Sequence, residues 1–267
     1  MVTALCLFLS ILNTTNKELP KKDTIPNTEI IVIGTIHSPT LNYSAEALLD
    51  ILKKVNPQVI LYECDSSAFP DSFQLLGFWR KGQEGMAVVE FQSVSPGCVL
   101  RPYDIEGRDK FYKKHNYFKL EKDVLEKINQ AYNDGKTNGN VQLYYGLSAV
   151  LMDIKGSFSQ ESPRVINSGA YDYLVSSEKH YVNEGFKTII DSIPELHQYK
   201  DFWKLDCDFW IKRNDTMVNN IIHFSKEFSG KRIVVMCGCE HRYYLVGKLK
   251  EKQKDNNFAL REYWELE

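Results

Sequence analysis

The chain has 267 residues, of which 43% are hydrophobic and 25% are charged, a composition that is ordinary for a globular protein with a large buried core. Its formal net charge of −2 gives no electrostatic reason to expect a nucleic acid or an anionic membrane as a partner. No apolar run approaches the roughly 20 residues that a membrane-spanning helix needs, so we predict no transmembrane helix.

The N-terminus differs from the rest of the chain. Residues 2–12 are apolar apart from Thr3 and Ser10, and a polar stretch with two prolines follows. This pattern resembles the hydrophobic region of a secretory signal peptide, although a basic start and a clear cleavage site are missing. We therefore predict that residues 1–28 are a signal peptide and linker of an exported protein, either periplasmic or secreted. A cytoplasmic protein with a hydrophobic first element is the alternative.

The first buried strand is predicted at residues 29–34, where the sequence reads EIIVIG. Its apolar residues are consecutive and do not alternate with polar ones, which indicates a strand covered on both faces, as in a parallel sheet. Gly34 allows a tight turn or a close approach of the backbone. His37 follows three positions later and is expected just beyond the carboxyl end of the strand, where ligands bind in open α/β sheets.

A helix and a second buried strand come next. Ser44 is a typical N-cap for a helix over residues 45–55. The run VILY at residues 59–62 predicts another strand that is buried on both faces, and Glu63 ends it. Strand, helix and strand form a βαβ unit, so Glu63 and His37 are expected at the same edge of a parallel sheet.

Helices predominate in the middle of the chain, which we interpret as a helical insert at about residues 66–200. Hydrophobic periodicity predicts two short helices within 71–91, a short strand at 99–105, and helices at 119–133, 141–154 and 170–193. Arg101 lies on the short strand, close to two carboxylates of the same segment. We consider it a candidate for binding substrate.

A second glycine–histidine pair lies near the C-terminus. A long helix is predicted over residues 205–228, and it carries Arg213 and Asn214. The sequence then reads RIVVMCGCEH over residues 232–241, which predicts a strand of the buried type that runs into a glycine, with His241 three positions on. Two further elements are predicted, a helix at 243–252 and a closing strand at 257–266.

These elements predict an α/β fold. We expect a mostly parallel central sheet with a βαβ unit and a helical insert between the two strands that carry the Gly-x-x-His turns. The α/β domain would cover residues 29–267. Because the carboxyl ends of parallel strands meet at one edge of a sheet, we expect His37, Glu63 and His241 to share a site.

Two imidazoles and one carboxylate are a suitable ligand set for a catalytic divalent metal ion that keeps one position for water. We therefore predict a metal site at His37, Glu63 and His241. Glu63 has an equal alternative as the ion-pair partner of Arg213, and the two roles are compatible. Glu240 is a candidate general base beside His241, although a neighbour at such a position more often points elsewhere.

Several of these motifs resemble those of one family. GTIH at residues 34–37, RNDTM at 213–217, GCEH at 238–241 and Glu63 after the second strand are similar to the TraB/PrgY/GumN family. That family is similar to the Tiki metalloproteases and is related to the erythromycin-esterase and ChaN-like folds. The resemblance implies an α/β core and a metal-dependent hydrolase.

The resemblance covers about residues 29–65 and 205–250. Carried over residue by residue, it implies a site made of His37, Glu63, Arg213 and His241, with Asn214 beside it as a substrate-binding candidate.

We therefore predict a peptidase-like, metal-dependent hydrolase that acts on a peptide or a small molecule. The divalent ion would be Mn, Co or Zn, and Arg213 would stabilise the oxyanion or hold Glu63. One alternative is a non-catalytic binding or signalling protein on the same fold, in the manner of pheromone-shutdown or haem-binding relatives. Another is a metal-free esterase that uses histidine and glutamate. The sequence leaves the oligomeric state open.

Overall fold

The computed structural model describes residues 28–69, 75 and 77–266, with the side chain of Phe78 excepted. The leader predicted at residues 1–28 lies outside the described residues except for Thr28, so export stays a prediction. In the described part of the chain, every helix is too short or too polar to cross a membrane.

Among the described residues, five parallel strands form one central sheet in the order β3-β2-β4-β1-β5. The strands are β1 Thr28–Thr35, β2 Val59–Tyr62, β3 Val99–Pro102, β4 Arg232–Gly238 and β5 Phe258–Arg261. Helices flank this sheet, so the predicted α/β fold with its parallel sheet is confirmed. The two strands with a Gly-x-x-His turn, β1 and β4, are direct neighbours, and Thr35 pairs with Gly238.

Nine α-helices lie within the described residues. They are α1 Ala45–Val55, α2 Gln83–Val94, α3 Arg108–Lys114, α4 Tyr117–Asn133, α5 Gly139–Phe158, α6 Pro163–Ile166, α7 Gly169–Ser192, α8 Lys200–Glu227 and α9 Cys239–Lys252. The described part of the chain also contains four short 3-10 helices, at Ser66–Ala68, Gly77–Arg80, Pro194–Tyr199 and Tyr263–Leu266.

The C-terminal elements differ from their predicted bounds. The helix predicted at 243–252 begins at Cys239, which places His241 in its first turn. The strand predicted at 257–266 ends at Arg261, and a 3-10 helix follows it. Its apolar and aromatic residues 263–266 therefore pack in a helical turn and do not extend β5.

The continuous apolar runs of the strands are explained by burial on both faces. On β1, Ile31 and Ile33 pack in the cluster that includes α1 and α2, while Ile30 and Val32 pack in the cluster that includes α8 and α9. None of these four side chains is more than 2% exposed. The sheet is thus held between two helical layers, which leaves its carboxyl edge as the place where polar side chains can gather.

The long helices of the middle segment form a second packing centre. Side chains of α4, α5 and α7 and the first turn of α8 share a cluster that contains Val124, Ile128, Ile189 and Trp203. The segment 66–200 also contains α2 and β3, which belong to the central layers. The purely helical part therefore begins after β3.

Candidate active site

The carboxyl ends of β1, β2 and β4 meet at one edge of the sheet and border a cavity of about 270 Å³. His37 comes from the end of β1, Glu63 from the end of β2 and Gly238 from the end of β4, and all three line the cavity. His241 lies behind this wall, with its Nε2 atom 3.6 Å from Glu63 Oε1. The structure thus brings together the residues that the sequence predicted at one edge.

His37 is oriented by a carboxylate that the sequence analysis did not single out. Its Nδ1 atom lies 3.0 Å from Glu84 Oε1, and the Thr35 hydroxyl donates to the same oxygen at 2.7 Å. Glu84 is buried at the start of α2, whereas His37 is exposed. The hydrogen bond with Glu84 is the main reason that the pKa of His37 is raised, and the loss of water around the part of the ring that meets the cavity wall opposes it.

Gly238 separates His37 from Glu63. A Cβ atom at this position would lie 3.0 Å from His37 Nε2 and 3.7 Å from Glu63 Oε2. The free ring nitrogen of His37 and one oxygen of Glu63 therefore face the same small space. Gly34, the glycine of the other motif, is needed for a different purpose. A Cβ atom at this position would lie 3.1 Å from Cys239 Cα, where α9 crosses β1.

Replacing Gly238 with alanine should close this space without unfolding the protein. The backbone of Gly238 has φ −56 and ψ 139, which alanine adopts without strain. We expect the methyl group to displace His37 and to lower any turnover at the cavity, with an unchanged melting temperature. Gly247→Ala, within α9 and with no atom near its added Cβ, is the control. Full activity of Gly238→Ala would contradict a shared role for His37 and Glu63.

Glu63 is held as an ionised carboxylate. Arg213 Nη2 donates to its Oε1 at 2.5 Å, and the Gly238 amide donates to its Oε2 at 2.5 Å. Burial alone would raise the pKa of Glu63, but His241, Arg213 and His37 outweigh burial and lower the pKa to about 2. Since Gly238 is the N-cap of α9, Glu63 also carries its negative charge to the positive end of that helix.

Arg213 makes a two-point contact with a second buried carboxylate, Asp104. Its Nε donates to Oδ1 at 2.8 Å and its Nη2 donates to Oδ2 at 2.7 Å. The side chain of Asp104 is fully buried, and it also accepts from Arg108 Nη1 at 2.9 Å. Asp104 lies two residues beyond the end of β3, whereas the sequence predicted a strand through residue 105, so its place at the sheet edge was not predicted.

Both ring nitrogens of His241 are already engaged. Asn214 donates its amide to the Trp210 carbonyl, so its oxygen is free to accept from His241 Nδ1 at 2.8 Å. Arg213 can only donate, so its Nη1 gives a hydrogen bond to His241 Nε2 at 3.1 Å. Burial lowers the pKa of His241 to about 4, which keeps this imidazole neutral. Asn214 therefore orients the ring of His241, and the lone pair on His241 Nε2 accepts the hydrogen bond from Arg213.

Because His241 is buried and neutral, lowering the pH should destabilise the folded protein. The pKa of His241 is lowered from 6.5 to about 4, so its contribution is present above pH 6.5 and is lost as the pH falls towards 4. The slope of the unfolding free energy against pH from this group approaches about 1.4 kcal/mol per pH unit. Burial raises the pKa of Asp172 to about 6, so this group on its own would make the folded protein more stable as the pH falls.

The measurement is therefore a comparison of urea unfolding between pH 4 and 7 for the wild type and His241→Gln. Glutamine retains polar groups but does not titrate, so the variant should lose less stability over this range. Equal slopes for the two proteins would show that His241 titrates normally.

A divalent metal does not fit the described arrangement of His37, Glu63 and His241. The described residues contain no group of three or more histidine, cysteine or carboxylate side chains that is arranged to hold a metal ion. The Arg213 guanidinium lies against both Glu63 and His241, so the lone pair of His241 is used and a positive charge stands where the ion would bind. The metal centre stays a prediction that this arrangement of side chains does not support.

Two other predicted residues lie elsewhere. Glu240 forms ion pairs with Lys155 at 2.9 Å and with Lys179 at 3.1 Å and does not line the cavity. Its position in the first turn of α9 turns its side chain towards α5 and α7. Arg101 stacks on Phe228, at the end of α8, and does not line the cavity either. The structure therefore supports neither a base role for Glu240 nor substrate binding by Arg101.

Comparison with family models, curated proteins and solved structures found no match for this chain. The resemblance to the TraB/PrgY/GumN family thus stays a prediction from the motifs.

Proposed function

We propose that this protein is a metal-independent hydrolase that acts on a small ester or a related acyl compound, with His37 as the general base. One observation carries the proposal: Glu84 holds Nδ1 of His37, while Nε2 faces the cavity. A carboxylate that orients a histidine in this way fixes the nitrogen that takes a proton from water or from a nucleophile.

The charges around the cavity suit such a base. When His37 takes a proton, the imidazolium forms beside Glu84 and near the ionised Glu63, both of which stabilise the positive charge. The developing oxyanion on the substrate would be stabilised by Arg108, which supplies the only fixed positive charge among the described lining residues.

The substrate class follows from the size of the cavity. Its volume of about 270 Å³ is at the lower end for small-molecule sites. Tyr62, Trp79 and Met236 make part of its wall apolar. We therefore propose a small acyl group as the bound part of the substrate, and a longer peptide would have to extend into solvent.

Metal-dependent hydrolysis is the second candidate, because a carboxylate that holds the second nitrogen of a histidine is also typical of metal-bound histidines. His37 with Glu84 would meet that requirement. The guanidinium of Arg213 opposes it, since this charge lies between Glu63 and His241. The peptidase activity, the family assignment, the export and the non-catalytic alternative are not supported by a specific contact and stay predictions.

The proposal is tested with purified protein on a panel of chromogenic esters and fluorogenic peptides. We expect turnover of short-chain esters, dependent on His37, in the presence of a chelator. A panel without any hydrolysed ester, combined with a spectral change on haem titration, would favour the binding-protein alternative.

The pH dependence of the reaction tests the role of Glu84. Glu84→Gln keeps an oxygen for Thr35 and for His37 Nδ1 but removes the charge. Since Glu84 raises the pKa of His37, the acidic limb of kcat/KM should move to lower pH in this variant. The plateau at high pH should fall by at least about tenfold, because the imidazolium loses its counter-charge. Glu90→Gln, an exposed residue of the same helix, should change neither value.

A further inference from the structure

The helix α5 is covered on one side only. It packs against α7, and Val141 and Ser148 are its buried residues. Lys155 lies on the same side, where it forms ion pairs with Glu178 and Glu240. Because these residues define the inner face, the opposite face of the helix points away from the rest of the domain.

That opposite face carries an apolar stripe. Leucine, valine, isoleucine and phenylalanine recur along it with steps of three or four residues, which aligns them along one side of a helix. The α5 stripe consists of Leu143 (60% exposed), Leu147 (half-buried), Val150 (55% exposed), Ile154 (41% exposed) and Phe158 (39% exposed). It presents on the order of 400 Å² of apolar surface, a size at which a patch on a monomer is often functional.

One exposed apolar residue lies in the loop next to the end of the stripe. Asn42 donates its side-chain amide to the Gln160 carbonyl at 2.7 Å, so the loop that follows His37 lies beside the end of α5. Leu41, the neighbour of Asn42 in that loop, is 91% exposed. The α5 stripe thus ends at the loop that connects His37 to α1.

The charges of α5 decide which kind of partner fits. Asp153 and Lys155 are its only charged residues, and the lysine is turned inwards. A helix that binds an anionic membrane carries lysine or arginine along its polar face, which α5 does not. The stripe residues are all uncharged, so two copies of the stripe do not repel one another, and a helix of 20 residues offers a contact about 30 Å long.

We infer that the α5 stripe is the surface through which two copies of this chain associate, with their α5 helices packed against each other about a two-fold axis. A two-fold interface uses the same patch on both subunits, so the stripe needs no second surface. Gly146, beside the stripe, has no atom near its missing Cβ and leaves room for a close helix approach. The stripe covers about half of the roughly 800 Å² per subunit of a stable interface, so the dimer should dissociate on dilution.

The test is sedimentation velocity of the full chain over a concentration series. We expect a reversible monomer–dimer equilibrium for the wild type and a shift of at least tenfold in the dissociation constant for Val150→Glu and for Ile154→Glu. Val94→Glu, an equally exposed apolar residue on α2, is the matched control and should dimerise like the wild type. Circular dichroism and melting temperature establish that the variants are folded.

Three results would overturn the inference. The wild type could sediment as a monomer at every concentration, as it would if residues 1–27 of the same chain covered the stripe. The dimer could persist in both α5 variants and so use another surface. The protein could be monomeric and bind phosphatidylcholine vesicles in a Val150-dependent way, which would identify a lipid surface as the partner.

Discussion

Replacement of His37 by alanine is expected to lower hydrolysis by about 10²- to 10⁴-fold, the usual contribution of a positioned general base. His37 is exposed, and among the described residues its ring is hydrogen-bonded to Glu84 alone, so the free energy of unfolding should stay close to that of the wild type. The measurement is kcat/KM on the best ester of the panel, together with urea unfolding of the same samples.

The control for this variant is His223→Ala. His223 has an exposed side chain on α8 that makes a long contact with Glu227 and an edge contact with the ring of Phe224, so its removal should change activity and stability little. If the His37 variant retained full activity, the proposed base would be wrong. If it lost stability as well as activity, His37 would have a structural role that the contacts do not reveal.

Arg213→Ala is expected to have the largest effect on stability. It would leave the buried carboxylates Asp104 and Glu63 without their main counter-charge and His241 Nε2 without its donor. Removal of one partner from a buried ion pair costs about 3–5 kcal/mol, because the remaining charge stays in a medium that solvates it poorly. Arg213→Lys should recover only part of this loss, since lysine cannot make the two-point contact with Asp104.

Lys122→Ala provides the comparison for Arg213. Lys122 pairs with Glu126 in an exposed i,i+4 contact, and such pairs contribute little to stability. Denaturant unfolding should therefore place Arg213→Ala lowest, Arg213→Lys between it and the wild type, and Lys122→Ala close to the wild type. If Arg213→Ala were as stable as Lys122→Ala, the buried charge network would not hold the site together.

The sequence was sufficient to predict the elements of the sheet core because their signal is local. Strands β1, β2 and β4 are continuous apolar runs, and α1 has Ser44 as its N-cap, which accepts from the Ala47 amide. Since parallel strands end at a common edge, the meeting of His37, Glu63 and His241 followed from the same reasoning. The symmetry of the two motifs was misleading, however, because Gly34 lies inside β1 whereas Gly238 caps α9.

Residues that reach the site through tertiary packing were not predictable in the same way. Glu84 belongs to no sequence motif. It becomes the partner of His37 only because α2 packs over the end of β1. Arg101 and Glu240 show the converse. Both lie close in sequence to site residues, but the register of β3 and the first turn of α9 direct them to Phe228 and to two lysines.

The most direct test of a metal-independent base at His37 is hydrolysis by protein from which metal has been removed. The wild type and the His37→Ala variant are dialysed against a chelator, and metal content and ester hydrolysis are measured on the same samples. The geometry of Arg213, Glu63 and His241 predicts that the metal-free wild type keeps its rate and that only the His37 variant loses it. Loss of the wild-type rate on chelation, with recovery on addition of Zn, Mn or Co, would contradict the proposal and restore the metal centre.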